Sequence, residues 1–219
     1  MRWASPNESR KGSSTMKVAI IGAGNVGKAL ATSIKRAGHE VTISATSPES
    51  AQTAAQQVGA SAAKNNVDAV GDANVVILAV PFVGAAEGVA SEIAHAAAGR
   101  VVIDVTNPIK PDYSGLALNE SSAAEEFQKL LPDSHVVKAF NTLFASNQAN
   151  PSSGIDGYVA GDDADAKQRV MGLVESMGFN PVDVGPLKSA RYLEGMAYLN
   201  IGLNASNGWD WTSVWKLER

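Results

Sequence analysis

The sequence predicts an α/β architecture, a doubly wound and mostly parallel sheet with a small C-terminal helical extension. Three observations carry that prediction. Short, continuously apolar runs such as Val75-Val76-Ile77-Leu78 alternate with helical stretches, the pattern of strands covered on both faces by crossover helices. The first such run, Val18-Ala19-Ile20-Ile21, leads into Gly22-Ala23-Gly24-Asn25-Val26-Gly27 and from there into the helical Lys28-Ala29-Leu30-Ala31. A strand, G-x-G-x-x-G and a helix in that order mark the Rossmann-type unit. Finally, 45% of the 219 residues are apolar and only 18% are charged, below the roughly 25% of ordinary soluble domains, so a large core can form.

The elements follow in order. Residues 17–21 read as the first strand and 25–37 as a helix stopped by Gly38. A second strand covers 40–44. Ser47 is placed to cap a helix over 48–58, with Pro48 at its first position. Residues 60–63 read as a short third strand, 65–70 as a short helix, 75–80 as a fully apolar strand and 84–97 as an alanine-rich helix. The strand at 101–105 is followed by the longest irregular stretch, 109–119. A helix over 121–131 and a strand over 136–140 come next. Beyond Pro151 the alternation continues, with strands at 157–160 and 181–184 around a helix at 164–177, and a last helix over 189–206. No repeat or low-complexity linker interrupts it. The expected organisation is a polar, disordered tail over 1–15, a nucleotide-binding unit over 16–143 and a C-terminal extension over 144–219.

Composition excludes several functions. A net charge of −4 gives no basic surface for nucleic acid. The chain has no cysteine, so disulfides, thiolate catalysis and iron–sulfur clusters are ruled out, which fits a cytoplasmic protein. No apolar run reaches the roughly 18 residues of a membrane span. His39, His95 and His135 all fall away from the carboxyl ends of the strands, no spacing suits a metal, and no Ser/His/Asp set is present, so no catalytic side chain is assigned.

Ligands of an open parallel sheet sit beyond the carboxyl ends of its strands. Those ends are the Gly22–Gly27 loop, Ala45-Thr46-Ser47, the Ala79-Val80-Pro81-Phe82 stretch, Thr106-Asn107-Pro108 and Asn141-Thr142. In the loop, Gly22 permits the turn, Gly24 lets amides approach a pyrophosphate, and Gly27 lets helix and strand pack closely. Ala23, Asn25 and Val26 complete the loop around the helix amino end, which favours the anion. A reader of NAD usually places a carboxylate at the end of the second strand, where it would repel a 2′-phosphate. This chain has Thr46 and Ser47 there and no acid before Glu49, which favours NADP; no arginine follows to clamp the phosphate. Ser47 reads equally as a helix cap, and Thr106, Asn107 and Asn141 equally as turn residues.

Two features lie outside this crevice. The helix from Ser189 carries Leu193, Met196, Ala197, Leu199, Asn200, Ile201 and Leu203 around most of its circumference, as core, subunit contact or pocket wall. Trp209, Trp211 and Trp215, three of the four tryptophans, cluster behind it, as a flap over a planar ligand or a subunit contact.

From Lys17 to about Leu203 the chain resembles the NADP-dependent coenzyme F420 oxidoreductases. The resemblance rests on Ile21-Gly22-Ala23-Gly24-Asn25-Val26-Gly27-Lys28-Ala29-Leu30, Val75-Val76-Ile77-Leu78-Ala79-Val80-Pro81, Val137-Lys138-Ala139-Phe140-Asn141-Thr142, Gly161-Asp162-Asp163, and the stretch from Gly185 through Arg191-Tyr192-Leu193-Glu194. It implies a homodimer and direct hydride exchange between NADP(H) and a deazaflavin, coenzyme F420, or a flavin-like co-substrate. By position, Gly22, Gly24, Asn25 and Val26 would meet the pyrophosphate, Thr46 and Ser47 the 2′-phosphate, and Pro81, Ala139 and Asn141 the nicotinamide end. The family's Ser-Arg phosphate reader is replaced by Ala45-Thr46, and its His-Thr by Asn141-Thr142. The alternatives are a flavin, ferric or other small-molecule reductase of the kind found in membrane metalloreductases, and a non-catalytic NADP-sensing module.

Overall fold

The computed structural model describes residues 15–218; of the tail expected over 1–15, only Thr15 lies among them. One eight-stranded sheet organises the chain. Its strands are β1 (Lys17–Ile21), β2 (Glu40–Ser44), β3 (Ser61–Ala62), β4 (Val75–Leu78), β5 (Val101–Asp104), β6 (His135–Ala139), β7 (Asp156–Gly161) and β8 (Asn180–Asp183), in the spatial order β3-β2-β1-β4-β5-β6-β7-β8. The first six strands run parallel. β7 pairs antiparallel with β6, and β8 runs parallel with β7, so the last two strands continue the same sheet in the opposite direction. β1 lies between β2 and β4, which makes its carboxyl end the point where strand order reverses.

Side chains alternate between the faces, and both faces are dry. Val18 and Ile20 of β1, Val75 and Ile77 of β4 and Val137 of β6 pack with helices α1 (Asn25–Arg36) and α7 (Ala164–Met177). Ala19 and Ile21, Val76 and Leu78, and Val136 face α3 (Asn66–Val70), α4 (Phe82–Ile93) and α5 (Ala123–Leu130). Burial on two sides is why these strands are apolar at every position instead of at every second one.

Local signals place the helices as the sequence predicts. Ser47 caps α2 (Pro48–Val58), its hydroxyl accepting from the Ser50 amide, and Gly59 ends that helix in the left-handed region. Asn65, Ser122 and Asp163 cap α3, α5 and α7 in the same way. α4 begins with a break, Val83 extended and Gly84 at φ +90°, and turns replace the helix expected to reach residue 97. A short helix absent from the sequence reading, α6 (Ala145–Ala149), packs on α1, and the Ser33 hydroxyl donates to its Gln148 carbonyl.

The last helix, α8 (Ala190–Asn207), departs from the expectation of burial all round. Glu194, Asn200 and Asn204 point inward with Leu193 and Ala197, whereas Tyr192 and Leu199 are exposed. Polar residues turn in because each finds a partner there. The Asn204 amide donates to the Ser213 hydroxyl (2.6 Å), which in turn donates to Asn200 Oδ1 (2.7 Å). The tryptophan-rich tail lies along α6 and α8. The Trp215 indole donates to the Met196 carbonyl (3.1 Å), Trp211 stacks edge-on against Phe144, and the Leu217 amide donates to Asp156. No residue of this tail lines the crevice at the carboxyl ends of the parallel strands.

Candidate functional site

Three glycines build the start of that crevice, each for a different steric reason. Gly22 adopts φ +115°, and a Cβ there would overlap the Ala79 carbonyl of the neighbouring strand. A Cβ on Gly27 would overlap the carbonyl of Gly22, so this glycine sets the approach of α1 to β1. A Cβ on Gly24 would meet nothing within 4 Å. Gly24 is therefore not required by packing; its bare backbone faces the crevice.

α1 begins at Gly24 with no side-chain cap and no acidic residue in its first turn. Its leading amides are unscreened donors at the positive end of a helix dipole. Two adjoining clefts extend from this point. One, of about 440 Å³, runs under β1, β2 and β4 and is lined by Gly22, Ala23, Gly24, Thr46, Ala79, Val80 and Pro81. The other, of about 340 Å³, continues past Asn25 and Val26 to Thr106 and Asn107 after β5. The two share Gly24 and the Ala79-Val80-Pro81 wall, with Thr46 in the first and Asn25, Thr106 and Asn107 in the second offering hydrogen-bonding groups.

The groups at its far end are held rigidly. Asn107 and Asn141 form a reciprocal pair, Asn107 Nδ2 donating to the Asn141 carbonyl (3.0 Å) and Asn141 Nδ2 to Asn107 Oδ1 (2.9 Å). Phe140, just before Asn141, sits at φ +63°, a strained conformation for an aromatic residue, and the Gln148 side chain donates to its carbonyl. The Thr106 hydroxyl and Asn141 Oδ1 are buried with no hydrogen-bond partner. Buried polar atoms are normally satisfied, and of these two Thr106 lines the second cleft, so its hydroxyl fits a polar ligand edge.

Behind this edge lies a buried ion cluster that sequence reading missed. The Lys138 ammonium, fully buried, donates to Asp104 Oδ2 (2.8 Å), Glu194 Oε1 (2.7 Å) and the Thr106 carbonyl (2.5 Å). Asp104 Oδ1 accepts from the Thr106 amide (2.8 Å), and Glu194 Oε1 from the Ala123 amide (2.9 Å). Burial pushes the Glu194 carboxyl up to about 7, against the opposing pull of Lys138, and Asp104 adds to the rise. The cluster ties β5, β6 and α8 together and pins both ends of the Thr106 peptide. One signal was available, since Asp104 and Lys138 each interrupt an apolar strand with opposite charge.

Most other expected residues reach the crevice, with four exceptions of position, the first being Gly27, which is buried against Gly22. Ser47 does not line it, because its hydroxyl is held by the α2 cap. Ala139 has no exposed surface and belongs to the core, and Asn141 stands behind Asn107. Asn66, not singled out by sequence, lines the first cleft and accepts from the Ser44 hydroxyl (2.7 Å). The histidines stay outside. His39 is buried beneath β1, accepting from the Met16 amide and paired with Ser176, and burial lowers its pKa; His135 opens β6 beside Asp163.

A strand-order reversal, an uncapped helix terminus over a bare glycine and two adjoining clefts at the strand ends together define a dinucleotide-binding protein of the Rossmann class. Residues 17–108 match the model of the coenzyme F420-dependent NADP oxidoreductases. The chain is 33% identical over 211 residues to the F420-dependent NADP reductase of Methanothermobacter marburgensis, covering 88% of this chain and 94% of that one. It therefore belongs to the F420-dependent NADP reductase family. The rat metalloreductase STEAP3 is 32% identical over 182 residues; the match covers 82% of this chain and spans 36% of that protein's length. A crystal structure from Arthrobacter sp. FB24, provisionally described as an F420-dependent NADP reductase, superposes with a TM-score of 0.84 at 26% identity, covering 93% of this chain and all of that one.

Proposed function

We propose that the protein is an NADPH-dependent oxidoreductase that exchanges a hydride between NADP(H) and coenzyme F420. The observation that carries this reading is the bare Gly24 elbow at the uncapped start of α1, in a chain that aligns along almost the whole of an F420-dependent NADP reductase. In this reading the amides of Gly24, Asn25 and Val26 take the pyrophosphate, Thr46 faces the adenosine ribose, and the wall from Ala79 to Pro81 supports the nucleotide. Thr106 and Asn107, backed by Asn141, hold the nicotinamide edge.

The two redox cofactors supply the hydride chemistry when bound. The chain's share is alignment and exclusion of water, and no side chain is assigned as an acid or base. The unit over 16–143 carries the nucleotide, and the extension over 144–219 meets the co-substrate and a second copy. The exposed Tyr192 and Leu199 of α8, seven residues apart on one face, are the proposed homodimer contact. The cytoplasm is the proposed site of action.

The test is rapid anaerobic mixing of the protein and NADPH with oxidised F420, following the reduced-nicotinamide absorbance. Oxidation of NADPH coupled to bleaching of F420 is expected. Tight NADPH binding without oxidation by any carrier would leave only a nucleotide-sensing module. The likeness to a metalloreductase supports a second reading, with a flavin or ferric chelate as acceptor. Preferential reduction of those acceptors in the same assay would favour it over F420.

A further inference from the structure

A third cleft, of about 320 Å³, lies between α1 and α2 and joins the dinucleotide crevice at Ala23 and Ser50, which line both. Its other polar residues are Lys28, Glu49, Thr53 and Gln57. Lys28 comes from the first turns of α1, one residue after Gly27. Its ammonium spans to α2 and donates to Gln57 Oε1 at 3.3 Å. An ammonium has three hydrogens to donate, and no carboxylate pairs with Lys28 among the described residues, so two remain free towards the cleft.

The neighbouring groups cannot neutralise an anion. The Ser47 hydroxyl donates to Ser50 Oγ and accepts from the Ser50 amide, both at 3.2 Å, so the cap consumes it. Thr46 is neutral, and the connection from β2 to α2 contains neither lysine nor arginine. Glu49, its carboxyl pulled below the ordinary value chiefly by its own amide, opposes a phosphate. Lys28 is thus the cation of this cleft, which opens into the dinucleotide crevice at Ala23 and Ser50, beside Gly24 and Thr46.

We infer that Lys28 is the specificity residue for NADP, reading the 2′-phosphate in a subsite built between α1 and α2 and not on the loop after β2. The inference rests on the proposed seating of the dinucleotide in the crevice and adds the source of its phosphate preference. Thr53 and Ser50 offer hydroxyls to the same group, and Gln57 holds the ammonium in place. Glu49 makes the preference smaller than an arginine clamp would give.

The experiment is equilibrium binding, read by nucleotide fluorescence or calorimetry, of NADPH, NADH, 2′,5′-ADP and 5′-AMP to the full chain and to Lys28→Met and Lys28→Arg. Lys28 is on a helix surface, so circular dichroism should show both variants folded. Lys28→Met is expected to weaken NADPH and 2′,5′-ADP by roughly 10-fold or more, to leave NADH and 5′-AMP within about twofold, and to reduce the salt dependence of NADPH binding. Lys28→Arg should retain the preference. Equal weakening of NADPH and NADH, or no change in either, would overturn the assignment of Lys28 while leaving the dinucleotide site intact. Wild-type protein that binds none of the four would instead overturn the seating of the nucleotide, and Lys28 with it.

Discussion

Gly22, Gly24 and Gly27 are one residue type put to different uses, and the structure gives each its steric reason. Two are glycines because backbone approaches backbone, whereas among the described residues nothing approaches the third. Gly24→Val is therefore expected to leave the thermal midpoint within a few degrees of wild type while weakening NADPH roughly 100-fold or more, because the new side chain fills ligand space. Gly27→Ala should instead lower stability, since α1 must move off β1. A melting scan paired with a binding titration tests both, and a Gly24→Val protein with unchanged NADPH affinity would dissociate the glycine loop from the pyrophosphate. This much was legible from the motif, because each glycine's role follows from its offset in a strand–turn–helix. Ser47 was legible only as two alternatives, and the hydrogen bond to the Ser50 amide establishes the cap. Ala139 came from family resemblance alone, and Asn141 from the strand-end rule as well; both transfer position along the chain but not depth.

At the scale of elements, strands and helices were readable because burial on both faces writes itself as unbroken apolar runs. The joints between them were not. Lys138 lies 34 residues from Asp104 and 56 from Glu194, and no local pattern announces that β5, β6 and α8 share one ammonium. α6 was missed because five residues carry too little periodicity, and the reversed direction of β7 has no signature in composition. The cluster has a measurable consequence. The folded chain holds a proton on Glu194 up to about pH 7, whereas the unfolded chain releases it near the ordinary value of 4.5. Folding binds a proton in that window, so this group's contribution to stability is fully present below about 4.5 and is lost as pH rises through about 7. Glu194→Gln keeps the acceptor for Lys138 without the ionisation. Urea midpoints at pH 6 and pH 8 should fall with pH more steeply in wild type than in Glu194→Gln. Equal slopes would mean that Glu194 does not titrate in this range.

At the scale of the molecule, α8 departs from an ordinary surface helix, with an acid and amides inward beside Leu193 and Ala197, and Tyr192 and Leu199 outward. Hydrophobic residues in the sequence showed that the helix is unusual but not which side faces the chain, because partners such as Lys138 and Ser213 decide that. If the outer face joins two copies, Leu199→Lys should convert a dimer into a monomer in light scattering without lowering nucleotide affinity. A wild-type monomer at micromolar concentration would reject the contact. The margins of the sheet limit how copies can meet. At one side β3 offers only two residues, and at the other β8 carries Pro181, which has no amide hydrogen to give a further strand. Neither border is a good template for strand addition, so the sheet is guarded against edge-to-edge aggregation. A pairing of two copies through the proposed α8 contact would rest on side chains alone, where a single charge can undo it.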